Sequence, residues 1–296
     1  MRRSGHPIPT PAPSSLPASS ARSWASARGW FALAAVSLVG VAAFGWPFLI
    51  EADAAHGSSH SQDAPWVFAG LLAVLAAVVS AELGGGRLDA KAVAVLGVLS
   101  GATGAMRVFS AGMIGLEPMF FLLVLAGRVL GLAGGFLLGS TAMLAGAVIT
   151  GGIGPWLPFQ MFCAGWVGMG AGLLPALRGR AEVWMLAGYG LVAGFGYGMV
   201  MNLWFWPLAT DPDTAIGYDP QAGPAANLAR YGAFYLATSL AWDFPRGVLT
   251  AVLCLLAGRP VLTTLRRSLR RAHFQPAGNS SGAAADAATD PPGATG

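Results

Sequence analysis

Hydrophobic residues in this chain come in long unbroken runs, not in period-two alternation. The runs cover residues 30–50, 65–83, 90–108, 118–130, 131–149, 158–177, 183–208 and 231–257. Most approach the ~20 residues that a helix needs to cross the hydrocarbon of a bilayer. Continuous runs of this kind exclude an outer-membrane barrel, whose strands alternate apolar and polar positions. The pattern predicts an all-α, polytopic membrane protein of eight spans. The fourth span is the weak one, because Arg128 interrupts it early. A re-entrant hairpin over residues 117–149 is the alternative there, and it would change the parity of the later spans.

The links divide the chain into segments. Residues 1–29, rich in Pro, Ser, Ala and Arg, read as a disordered cytoplasmic arm. Residues 30–83 carry the first two spans, residues 84–258 the remaining six, and residues 259–296 a basic and then low-complexity tail. Ala52-Asp53-Ala54 resembles a small-residue cleavage site, but the long lead and full-length apolar run favour a retained anchor. The longest internal loop is 209–230.

Composition sharpens this picture. Of 296 residues, 55% are hydrophobic and 10% charged, far below the ~25% charged of a soluble domain; mean hydropathy is +0.60. The net charge of +4 is spread as a topology signal. With both termini cytoplasmic in the cell membrane, Arg107, Arg230 and Arg246 are the three of 17 basic residues that fall outside. Glu51, Asp53, Asp63, Asp211, Asp213 and Asp219 share that outer side.

Candidate chemistry is narrowed by elimination. Lys91 is the sole lysine and no P-loop surrounds it, so the chain carries no ATP site of that kind. His6, His56, His60 and His273 all lie outside the spans, which removes an intramembrane Ser/His protease and an HExxH metalloprotease. The expectation is a protein with no enzymatic activity and no cofactor. His56 and His60, four apart beside acids, read as a solvated linker in preference to a metal site. Cys163 and Cys254 lie within apolar runs and read as small core residues.

The exceptions to apolarity gather at the predicted outer ends of the spans. They are Arg107, Glu117, Trp156, Gln160, Asn202, Trp204, Trp206, Asp243 and Arg246. Charges at membrane depth are costly unless paired or facing a wet cavity, so they nominate a solute site. Asp243 and Arg246, three apart, can pair on one helix face. The competing expectation is that these groups merely hold helices together. Ala90, Ala94, Gly97 and Gly101 form a small-residue face of the kind that lets helices approach closely in lipid.

On Glu117-Pro118, LAGRVLGLAGGFLLGSTAML, TGGIGPWLPFQM, AGWVGMGAGLLP, NLWFWP and ATSLAWDFPRG, the chain resembles the substrate-binding S component of energy-coupling factor (ECF) vitamin transporters, actinobacterial type. The resemblance covers residues 91–258 and implies a six-helix S-component-like bundle; it is preceded by two extra transmembrane helices, residues 30–83, which lie outside the match. It further implies capture of a vitamin-like solute from outside, and partnership with a transmembrane coupling protein and two ATPase subunits. Docking on the coupling protein would use Ala90, Ala94, Gly97 and Gly101. The resemblance names no particular vitamin; the tryptophan-rich rim suits a large or planar solute, for example a cobalamin-like compound. The alternative is a membrane scaffold or assembly partner that binds no solute.

Overall fold

The computed structural model describes residues 27–49, 90–110 and 115–272, together with Gly70 and Ala73. The second predicted span, the His56/His60 loop, the N-terminal arm and the end of the tail lie outside the described residues. Within them the chain is all-helical, 85% helix without a strand. The elements are α1 (Ala27–Leu49), α2 (Ala90–Ala105) with a 3-10 turn Met106–Ser110, α3 (Met119–Thr150), α4 (Leu157–Leu173), α5 (Gly179–Ala209), α6 (Pro224–Phe234), a π-helical turn Tyr235–Ser239 and α7 (Leu240–Ala272). Four helical stretches are long and apolar enough to cross a membrane: Val93–Ser110, Met119–Thr150, Gly179–Ala209 and Pro224–Arg270.

The centre of the fold is a helical hairpin inside α3. Gly131 sits at φ 76°, ψ −170°, a non-helical conformation that splits α3 into arms 119–130 and 132–150. Gly127 and Gly135 both press against Gly168. In one straight helix those two positions would lie about 12 Å apart, so the chain folds back at Gly131. Close approaches of Gly139 to Ala164 and of Gly172 to Gly131 run the second arm antiparallel to α4. A Cβ at Gly135 or Gly139 would strike the α4 backbone. Small residues are what let helix backbones meet this closely when lipid surrounds them.

The first arm is the most enclosed part of the chain. Met119, Leu123, Val124, Leu125 and Ala126 have no exposed surface. Its 12 residues make it ~18 Å long, well short of the ~30 Å hydrocarbon core. The brevity seen at Arg128 in the sequence is therefore a structural fact: this arm is a plug among longer helices.

Arg128 ends the plug in a polar knot. Its guanidinium pairs with Glu182 at 2.9 Å and donates to the Leu174 and Pro175 carbonyls at 2.6 and 2.8 Å. Arg266 of α7 reaches the same Glu182 oxygen at 2.6 Å. α7 thus runs 15 residues beyond the predicted end at residue 257, so the basic start of the tail, residues 259–272, is helix. Leu262 and Leu265 are buried and Leu269 packs beside them, and this helical spacing carries the helix onward. The predicted loop 209–230 likewise contains a helix, opened by Pro224 at its first turn.

α1 packs on α4 through Phe44 and through a Trp166 indole donating to Ser37 at 3.1 Å, and on α5 through Phe48 against Trp206. Gly97 and Gly101 have no neighbour within 4 Å among the described residues, whereas Gly104 presses on Ala142 and Gly146. Ala94 is exposed, and of Ala90 the structure describes the backbone alone.

Gly131→Ala will lower the stability of the detergent-solubilised protein by about 1–3 kcal/mol, because its backbone lies in a region open essentially to glycine. Gly139→Val will lower the melting temperature further. Gly188→Ala, a helical site with nothing within 4 Å, will leave it unchanged or raise it. Scanning fluorimetry of the three variants checks this ordering.

Candidate functional site

Gly115, at φ 64°, lies against the backbone of Trp242 and so draws the start of α3 onto α7. Two residues later Glu117 meets Arg246 of α7. The Arg246 Nε and Nη2 each donate to a Glu117 carboxylate oxygen at 3.2 Å, a forked pair. Its Nη1 donates to Asp243 one helical turn earlier, and also reaches the Gly194 carbonyl at 3.4 Å. The rings of Tyr197 and Phe120 flank the guanidinium at 5.1 and 5.6 Å. Arg246 and Asp243 are buried, at 7% and 2% exposure.

Gly198 makes room for this arrangement, because a Cβ there would run into the Asp243 carboxylate. One oxygen of that carboxylate, Oδ2, has no aligned hydrogen bond among the described residues. The Tyr235 hydroxyl stands beside Asp243 and likewise lacks one. Tyr235 belongs to the π turn, whose widened winding also turns Thr238 and Ser239 to the same space. Asn202 of α5 donates to Ser239 at 2.6 Å.

Glu117, Arg246, Asp243, Gly198, Asn202, Thr238 and Ser239 line a cavity of about 580 Å³. It is also lined by Arg107, which follows α2, with Met143 of α3 and Gln160 of α4. Arg107 Nη1 lies 2.7 Å from the Met143 sulfur and 3.5 Å from the Gln160 amide oxygen. Its stem crosses the bare backbone of Gly146. No carboxylate among the described residues lies within ion-pair range of Arg107.

Six of the nine nominated residues therefore share one cavity: Arg107, Glu117, Gln160, Asn202, Asp243 and Arg246. The three tryptophans do not line it. Trp206 is fully buried, donates to the Ile216 carbonyl at 2.7 Å, and anchors a second apolar cluster with Tyr218, Tyr231 and Phe234. Trp204 stacks on Phe159 with ring centroids 4.8 Å apart. Trp156 is 42% exposed and donates to the Gly152 carbonyl in its own link. A large planar solute held by a tryptophan rim loses its structural basis. Instead, Phe205, Phe234 and Trp242 supply the cavity's aromatic surface.

Above the second cluster, residues 210–223 fold into a fixed cap. Arg230 donates to the Pro212, Thr214 and Gly217 carbonyls at 3.0–3.2 Å and pairs with Asp219 at 3.4 Å. Burial, and secondarily the Asp219 charge, push the Tyr218 hydroxyl above its ordinary range, so it packs there as a neutral ring.

Sequence reasoning missed Tyr197, Gly198, Tyr235, Thr238 and Ser239. The Thr-Ser pair inside an apolar run was the available signal. Nothing local marks a π turn or a glycine opposite a carboxylate. Cys163 and Cys254 are buried free thiols. Among the described residues no three His, Cys, Asp or Glu side chains gather as a metal site.

No protein-family model, curated protein or solved structure matches this chain.

Arg246→Met will destabilise the protein by about 3–5 kcal/mol, since it strands two carboxylates that share one cation. Arg107→Met keeps the stem over Gly146, removes no ion pair among the described residues, and will leave the melting temperature nearly unchanged. Thermal unfolding in detergent separates the two.

Proposed function

We propose that this chain is the membrane-embedded solute-binding subunit of an ECF-type importer. In this reading it captures a vitamin-like small molecule from outside. The molecule then passes through a transmembrane coupling protein driven by two separate ATPase subunits. One observation carries the solute-binding part: polar side chains of five helical elements converge on one partly open space of ligand size, while the surrounding helices meet through glycine and apolar packing. The coupling and the ATPases rest on the sequence resemblance, with support from the missing P-loop.

The residues then divide by task. The Glu117–Arg246–Asp243 cluster fixes the cavity wall, and Asn202 with Ser239, Gln160 and Arg107 offer hydrogen bonds to the solute. Phe205, Phe234 and Trp242 take its apolar body. The plug below, the first arm of α3, closes the path toward the Arg128 end.

A scaffold role is the second reading, favoured by the way the Arg246 cluster ties α3, α5 and α7 together. Native mass spectrometry of the full-length protein from its own host separates them. The transporter reading expects one retained small molecule, copurifying coupling and ATPase subunits, and an affinity reduced about tenfold by Asn202→Ala without loss of fold. Preparations that never hold a small molecule, with variants altering only stability, would establish the scaffold.

A further inference from the structure

We infer that the cavity selects a dipolar solute, one that sets an acid group on Arg107 and an N–H donor on Asp243; the inference rests on the solute-binding reading above. The two walls differ in electrostatic character. On one, a single guanidinium serves two carboxylates, so Arg246 has its Nε, Nη1 and Nη2 engaged and that wall carries surplus negative charge. Arg246 is therefore not the anion anchor that its position in the apolar run suggests.

Arg107 is that anchor. A guanidinium has five donors in a fork matched to an acid group. Here the recorded partners are a thioether and one amide oxygen at 3.5 Å, both weak for a cation. A charged arginine among apolar helices without a counter-ion is costly, and a solute carboxylate or phosphate removes that cost. Asp243 is 2% exposed, and its Oδ2 has no aligned hydrogen bond among the described residues although the Tyr235 hydroxyl stands beside it, so that oxygen is open to a solute donor. A neutral apolar solute leaves both demands unmet, a simple anion leaves Asp243 unmet, and a simple cation opposes Arg107. An acid that also carries an N–H group and an aromatic body meets Arg107, Asp243 and the surface of Phe205, Phe234 and Trp242.

The test uses full-length protein in detergent and three matched fragments, read by calorimetry. They are hippurate, its methyl ester, and 3-benzoylpropionate, in which a methylene replaces the N–H. Hippurate will bind saturably, with the ester weaker by roughly tenfold and the methylene analogue weaker by roughly fivefold. Arg107→Gln will erase the preference for acid over ester at unchanged melting temperature, and Arg107→Lys will retain part of it. An ester that binds as well as the acid, or a methylene analogue that binds as well as hippurate, overturns the inference and leaves the solute site standing. If none of the three binds, the molecule released in native mass spectrometry decides. One carrying both an acid and an N–H group sustains the inference, and one lacking either overturns it. A protein that holds no small molecule removes the solute-binding reading itself.

Discussion

One guanidinium organises this end of the bundle. Arg246 takes two carboxylates from different segments and a backbone carbonyl from a third. Burying it costs several kcal/mol of lost hydration, which only close pairing can offset. That requirement explains otherwise separate features. Gly115 lets the chain before α3 touch α7, Gly198 clears space for Asp243, and Phe120 with Tyr197 sandwich the cation. Remove the pairing and the cavity loses the wall shared by α5 and α7.

The opposite end repeats the logic with signs exchanged. There a single buried carboxylate, Glu182, serves two arginines from different helices. Arg128 also takes the last carbonyls after α4, so the knot closes the helix end as well as the charge. Arg246 and Arg266 stand on one helix, twenty residues and ~30 Å apart. α7 is thereby pinned near both ends, and Pro245 and Pro260 place its weakened backbone hydrogen bonding close to the pins.

How far the sequence reached depended on the range of the interaction. All-helical architecture followed from unbroken apolar runs, which are a local property. The break at Gly131 followed from a charge placed too early at Arg128. Convergence of Arg107, Glu117, Gln160, Asn202, Asp243 and Arg246 was legible because isolated polar groups in apolar helices have few places to go. The tryptophans were misplaced for the opposite reason: an indole is content in a core, a stack or a rim, and local sequence does not choose among them. Helix to Ala272 was missed because its packing face depends on partners more than seventy residues away. Gly97 and Gly101 meet no neighbour among the described residues, so a small-residue spacing does not by itself say which surface it meets.

The short first arm of α3 has an electrical consequence. In a bilayer, with the cavity wetted, the insulating layer beneath it is the ~18 Å plug and not the full ~30 Å of hydrocarbon. A membrane potential then falls mainly across the plug, where the local field is about 1.7 times that in the surrounding lipid. Moving one elementary charge through the whole potential involves ~2.3 kcal/mol per 100 mV. Nearly all of that work belongs to the passage from Glu117 to Arg128, and almost none to entry into the cavity.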